Sequence, residues 1–344
     1  MSSIRPTADT GGEAGAPRVS AASVQRSVTV LALVALAALI PLLGPPVALR
    51  GTGEAAAPGV GGIALLRTVL FAAVCVPAGE LFVSRLVTRL ALGVPGASPE
   101  GAPRSWAPAA AAAGFVAALG LASVVATGNL VPRSLSDMDI GGLYQSRDGA
   151  LALLEVNAFV VLGLCALSRR PATQVWPLAA VAVAEALRAH PTTEQSPLIG
   201  AGLTLVHVTC AALWAGGLLH VLRTLLRWRT SAPGEGVALL GLYARVAAVL
   251  LAVITATGIC STLRRMPPGT VLDQLTTTAY GRTLLAKVLL VAAVAVLALW
   301  ARRRLRRAAE PLTAYSPARA EVVVLGLVVA VSAVLTAVPV PIRW

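Results

Sequence analysis

The sequence predicts an all-α fold, namely a polytopic transmembrane helix bundle with about nine spans. Hydrophobic residues make up 57% of the chain and charged residues only 12%, too few charges to cover a soluble surface of this size. The apolar residues form long runs of roughly membrane-spanning length, and most arginines stand at the ends of those runs. A basic patch on a soluble, nucleic-acid-binding domain is therefore not indicated, despite the net charge of +13.

The elements follow in order along the chain. Residues 1–26 are rich in Gly, Ala, Ser and Pro and are predicted to be a disordered cytoplasmic tail. About nine apolar runs then predict the spans, at residues 27–43, 62–82, 106–127, 150–167, 175–189, 198–222, 239–260, 283–300 and 322–340. The first run resembles a signal peptide, but it lacks a clear cleavage site, so we assign a retained helix.

Arginine placement predicts the orientation of these spans. With the N-terminus inside, the basic groups gather in the inner segments, above all in "ARRRLRR" at 301–307, and the outer segments hold far fewer. The positive-inside rule then favours an N-in, C-out topology in a bacterial plasma or inner membrane. We divide the chain into the tail, N-terminal membrane helices over 27–189, and a second membrane domain over 190–344.

Ionisable residues inside the predicted spans are the candidate functional groups. At about 1.5 Å of rise per residue, five of them from four helices fall in the outer half of the membrane: Glu155, Glu185, His207, Arg282 and Lys287. Burying one such charged side chain alone in hydrocarbon costs roughly several kcal/mol of free energy. We therefore expect these residues to face the bundle interior and share a polar cavity. Arg67 is expected to extend to the interface.

The stretch "LVHVTCAALWAGGLLHVL" contains the candidate metal-binding residues of the sixth run. His207, Cys210 and Trp214 share one helix face, whereas His220 lies about 20 Å further along. Imidazole and thiolate at this spacing suit a soft ion such as Cu(I). Equally open readings are an interhelical hydrogen bond for His207 and a small hydrophobe for Cys210. Gly216 and Gly217 leave room for another helix to approach closely.

The sixth to eighth runs resemble the copper resistance D (CopD) family of membrane proteins. The resemblance rests on His207, Trp214, Gly216 and Gly217 in the sixth run, on "RAHP" ending at His190 and Pro191, on "LYARVAAVLLAVITATGI" with Thr257 and Gly258, and on Tyr280, Gly281, Arg282 and Lys287 in "TAYGRTLLAKVLL". It extends from about Ala189 to Arg307.

The resemblance implies copper handling, through copper uptake, copper tolerance or supply of copper to a cuproenzyme such as cytochrome oxidase. On this basis we expect copper as the substrate or bound ion, captured at an outer site of His190 with Met266. The copper ion would then move to His207, with or without Cys210 as a second ligand, so that it passes through successive weak sites. Glu155 or Glu185 is expected to neutralise Arg282 and Lys287, and Trp214 to pack beside the path.

Two rival functions remain open. A non-transporting assembly factor would dock an extracytoplasmic copper-binding protein or an oxidase assembly partner, and a haem b protein would need His190 and His207 on one iron. Enzymatic activity is not indicated, because the chain has no phosphate-cradling glycine loop, nucleophile elbow or HExxH motif. The expected partners are the lipid bilayer and, for an assembly factor, such a copper protein; no nucleic acid is expected.

Overall fold

Helices form nearly all of the chain for which this computed structural model gives a description. The described residues are 35, 38–55, 57–92, 103–128, 131–132, 134–192, 196–229, 231–266, 268–307 and 315–339. The predicted tail at residues 1–26 and the start of the first apolar run lie outside them. Within the described part no strand occurs, which confirms the all-α prediction.

Eleven α-helices follow one another in the described chain. We label them α1 (Ala38–Leu49), α2 (Val60–Leu92), α3 (Ala107–Ala126), α4 (Ile140–Gln145), α5 (Arg147–Leu167), α6 (Val175–Arg188), α7 (Pro197–Trp228), α8 (Pro233–Arg265), α9 (Val271–Thr277), α10 (Ala279–Arg307) and α11 (Tyr315–Ala337). Helices dominate because a bilayer offers no water to the backbone, so its polar groups must bond within each segment.

Six of the described helices are long and apolar enough to cross a membrane, namely α2, α3, α5, α7, α8 and α10. The apolar run at 175–189 becomes α6, a helix of 14 residues that spans only about 21 Å, short of the roughly 30 Å hydrocarbon layer. The apolar stretches Ala38–Leu49 and Val323–Ala337 are also shorter. A multi-pass helical bundle is therefore established, while nine spans and the N-in orientation stay predictions.

α2 is the central helix, since it packs against α3, α6, α7, α8 and α11. One apolar cluster joins α2 to α3, α5 and α6 around Leu70, Phe159 and Leu162, and a second joins it to α7 and α8 around Val221 and Leu239. Other large apolar side chains point away from the bundle on the outer faces of the spans: Leu164, Val249, Leu289 and Val296. Such a surface fits lipid rather than water.

Sequential spans run antiparallel, so each end of the bundle collects particular helix termini. At one end, called here the α6 end, α6 and α8 finish and α2, α5, α7 and α10 begin. Contacts across this end include Arg147 to the carbonyl of Leu187 and Arg264 to the carbonyl of Ser196. The other end, called here the arginine end, carries the exposed side chains of Arg85, Arg89, Arg104, Arg169, Arg170, Arg227 and Arg229.

Candidate metal site and polar clusters

His207 lies at the interface of α7 and α8, where its hydrogen bond fixes the ring. Its Nδ1 is 2.9 Å from the hydroxyl of Thr257. That hydroxyl donates to the carbonyls of its own helix, at 2.8 Å to Val253 and 3.1 Å to Ile254. We assign the ring proton to Nδ1 of His207, because the single Thr257 hydroxyl hydrogen is then directed at its own helix and the oxygen accepts from Nδ1–H. In a neutral ring this leaves the Nε2 lone pair available to a ligand.

Gly258 adjoins this imidazole, and Cys210 and Lys287 bear on its chemistry. A Cβ on Gly258 would lie 3.6 Å from its Cε1 atom, so α8 presents only backbone there. Cys210, one turn along α7, is half-buried at the edge of the α7–α8 apolar cluster. Lys287 of α10 is the charged group that acts on His207 through its field. Within the described chain Lys287 makes no hydrogen bond or ion pair, so its ammonium is uncompensated.

His190 is held at the end of α6, against the beginning of α7. It is only 3% exposed, and its Nε2 lies 2.9 Å from the hydroxyl of Thr204. Gly200 makes room for the ring, because a Cβ there would lie 2.4 Å from Nδ1. Arg147 of α5 donates to the backbone carbonyls of Leu187 and His190 and so ties this corner to α5. His190 is therefore part of a packed polar corner.

The two histidines stand beside neighbouring turns of α7, His190 from the end of α6 and His207 from α7 itself, but at different interfaces. Thr204, the partner of His190, stands three residues before His207, a rise of about 4.5 Å. His190 lies between α6 and α7, whereas His207 faces Thr257 on α8. Among the described residues, no group of three or more His, Cys, Asp or Glu side chains could hold a metal ion. A metal ion at either histidine would thus have at most two such ligands from the described residues.

Met266 lies elsewhere at the α6 end. Its side chain is fully buried in an apolar cluster that brings together α1, α2, α10 and α11, with Leu49, Ala64, Ala279, Tyr280 and Val334. Among the described contacts, the Met266 thioether does not meet His190, so the expected pairing of the two is not observed. Val271, at the start of α9, also packs against this cluster.

The two buried acids pair with other cations than the sequence suggested. Glu155 and Glu185 were expected to neutralise Arg282 and Lys287, and that expectation is wrong. Arg188 lies 2.9 Å from Glu155 and 3.2 Å from Glu185, and Arg67 lies 3.6 Å from Glu185. Arg67 is consequently a member of the cluster and only 18% exposed, not a side chain extended to the interface.

This four-membered cluster joins α2, α5 and α6 through two acids and two arginines. Its formal charges cancel, which makes the burial of Glu155, at 1% exposure, tolerable in an apolar bundle. The contacts are close but poorly directed, since both carboxylate oxygens of Glu155 and the Nε atoms of Arg67 and Arg188 lack a hydrogen-bond partner in the described chain. Apart from the hydrogen bond that Arg188 Nη1 donates to Glu185 at 3.2 Å, the cluster therefore holds by Coulomb attraction.

Arg282 is paired with backbone instead of carboxylate. Its guanidinium donates to the carbonyl of Thr276 in α9 at 2.7 Å and to that of Arg50, just after α1, at 2.6 Å. Tyr280, two residues earlier, is buried and lies under the guanidinium of Arg265 at 5.8 Å. Both residues thus fasten the beginning of α10 to its neighbours and lie away from His207.

A third acid within the helices, the half-buried Glu80 of α2, was missed from the sequence. Its carboxylate accepts from Arg223 of α7 at 3.0 Å and from the backbone N–H of Trp106 at 2.7 Å, and it lies 4.0 Å from Nδ1 of His220. The guanidinium of Arg223 also covers the Trp106 ring at 3.6 Å, a cation–π contact. The sequence contained a usable signal. Glu80 lies inside the apolar run 62–82, and His220 and Arg223 stand three residues apart at the end of the sixth run.

Gly216 marks the closest approach of two helices. A Cβ at this position would lie 1.8 Å from the carbonyl oxygen of Cys75, and one at Gly79 would meet the backbone of Gly216. α2 and α7 therefore touch backbone to backbone. Gly217 faces the rings of Phe82 and Tyr243, and the Tyr243 hydroxyl donates to the carbonyl of Trp214 at 2.6 Å. Trp214 itself is buried packing between α7 and α8.

These features define a class: an integral membrane protein whose spans enclose ion pairs and imidazoles. Residues 237–335 match the family model described as copper resistance protein D (CopD), which supports a CopD-family membrane protein and confirms the resemblance seen in the sequence. The matched segment includes Thr257, Arg282 and Lys287, and begins after His190 and His207. No curated protein and no solved structure matches the chain.

Proposed function

We propose that the protein transports copper ions across the membrane and that His207 is the ligand in its interior. The hydrogen bond from His207 Nδ1–H to Thr257 carries this proposal. Metal-binding histidines characteristically donate one ring N–H to a fixed acceptor, which sets the tautomer and aims the other nitrogen at the ion. Cu(I) accepts imidazole and thiolate ligands, and Cys210 one turn away offers a second donor.

The proposed route begins at the α6 end with His190. Its ring contacts Thr204, and His207 follows one turn later on α7. The route avoids the Glu155–Arg188 cluster, whose charges are mutually compensated. Lys287 opposes a cation at His207 by its charge, so binding there is weak, as passage through the membrane requires. Copper would reach His190 from outside the cell membrane, alone or from an extracytoplasmic copper-binding protein.

A second function is favoured by two observations. The described chain contains no group of three potential His, Cys, Asp or Glu ligands, and Lys287 near His207 has no compensating acid. Both facts fit an assembly factor that supplies copper to a cuproenzyme such as cytochrome oxidase without conducting the ion. The haem alternative fits less well, because the hydrogen bonds of His190 and His207 place them at different interfaces of α7.

Metal analysis of the purified protein tests ligation. Wild type, His190→Ala and His207→Ala are loaded with Cu(I), washed, and examined for copper content and by X-ray absorption. The transport proposal predicts bound copper with nitrogen coordination that is lost in His207→Ala. Val206→Ala is the matched control, because Val206 is its neighbour on α7 and 43% exposed. Wild-type protein that retains no copper would contradict ligation and favour the assembly factor.

A further inference from the structure

A groove is lined by residues of α2, α6 and α7. α6 is short, and its apolar residues pack on α5 as well as α2 and α7. The groove has a volume of about 480 Å³, within the range of small-molecule sites. It is accessible from the bundle surface, since Val175 and Val183 on its α6 wall are 44% and 38% exposed.

The lining of the groove is apolar almost throughout. The apolar lining residues are Val74, Ala78, Leu81 and Phe82 of α2, Leu178 and Ala182 of α6, and Leu205 and Leu213 of α7, among others. Only Thr209 and Arg85 add polar side-chain atoms. From Val74 to Arg85 the groove follows α2 for about 16 Å along the bilayer-spanning part of the bundle. A surface of this length and composition fits an acyl chain.

Arg85 gives the groove a charged end. Its side chain is exposed at the arginine end of the bundle and makes no hydrogen bond or ion pair with any described residue. Arg89, Arg169 and Arg170 lie at the same end, so the local charge there is strongly positive. Guanidinium groups bind phosphate by paired, charge-assisted hydrogen bonds. The occupant that complements both parts has an anionic phosphate head and an apolar tail.

We propose that this groove binds an anionic phospholipid, with its phosphate on Arg85 and an acyl chain between α2, α6 and α7. Such a lipid matches the site because its charged head would lie at Arg85 while its apolar tail extends along the apolar walls of the groove. A peptide or a second copy of the chain would have to bury polar backbone or lipid-facing side chains in the groove. The proposal is independent of copper transport.

Lipid titration followed by native mass spectrometry tests the proposal. Wild-type protein in detergent is titrated with phosphatidylglycerol or phosphatidylcholine. The account predicts preferential retention of phosphatidylglycerol and about tenfold weaker retention in Arg85→Gln, the loss typical of a charge-assisted hydrogen bond. Arg227→Gln is the matched control, since it removes the same charge from an exposed site at the same end and does not line the groove.

A second variant tests the groove itself. Ala179 is exposed on the groove wall, and Ala179→Trp fills the space while Arg85 is unchanged. The proposal predicts that this variant also loses phosphatidylglycerol. Equal retention of both lipids by wild type, or unchanged retention in Ala179→Trp, would overturn it. A change from dimer to monomer in Ala179→Trp with unaltered lipid binding would assign the groove to a second copy and overturn it as well.

Discussion

The variant Thr257→Val tests how the hydrogen bond of His207 prepares the imidazole for copper. Valine preserves the shape of a side chain that is only 8% exposed, and it removes the oxygen 2.9 Å from Nδ1. Loss of such an oriented acceptor typically weakens metal affinity by about 10- to 100-fold. That factor corresponds to about 1.4–2.8 kcal/mol, in the range expected for a buried N–H left without its partner.

The assay is competition for Cu(I) between the purified protein and a chromophoric chelator. Thr255→Val is the matched control, because Thr255 is exposed on the same helix and its hydroxyl bonds only to the carbonyl of Leu251. We expect Thr257→Val to lose affinity and Thr255→Val to keep it, with similar unfolding in detergent. Equal copper affinity in the two variants would refute the proposed orientation of His207.

Two further predictions concern stability. Glu155→Ala leaves Arg188 with one buried acid, so we expect the free energy of unfolding to fall by about 3–5 kcal/mol. Denaturant titration in detergent measures this change, and a change under about 0.5 kcal/mol would contradict the buried pairing. Gly216→Ala places a methyl group against Cys75 and should cost about 1–3 kcal/mol. Gly202→Ala on the same helix meets nothing within 4 Å and should not destabilise, and equal effects would disprove the close approach.

The helical bundle could be predicted because hydrophobic length is a local property of the sequence. In a bilayer, the backbone N–H and C=O groups of a run such as 62–82 must hydrogen-bond to one another within the segment, and α2 does this as a helix. The short run at 175–189 was harder, because apolar composition alone does not separate a full span from a shorter buried helix. α6 extends over 14 residues, with Glu185 and Arg188 in its last turn.

The ion pairs could not be predicted, because pairing depends on which helices are neighbours. Depth along the membrane placed Glu155, Arg282 and Lys287 at similar levels, but the bundle puts α5 beside α6 and α3, so Glu155 meets Arg188. Burial of Met266 was missed for the same reason. A loop position indicates exposure on average, whereas here Met266 is buried in an apolar cluster.

Uptake of Cu(I) into sealed vesicles tests the central claim of transport through His207 most directly. Vesicles carrying wild type, His207→Ala or Val206→Ala are compared for the initial rate of copper entry at equal protein content. The account predicts entry with wild type and Val206→Ala, and a rate at least about tenfold lower with His207→Ala. Entry through His207→Ala at the wild-type rate would contradict it.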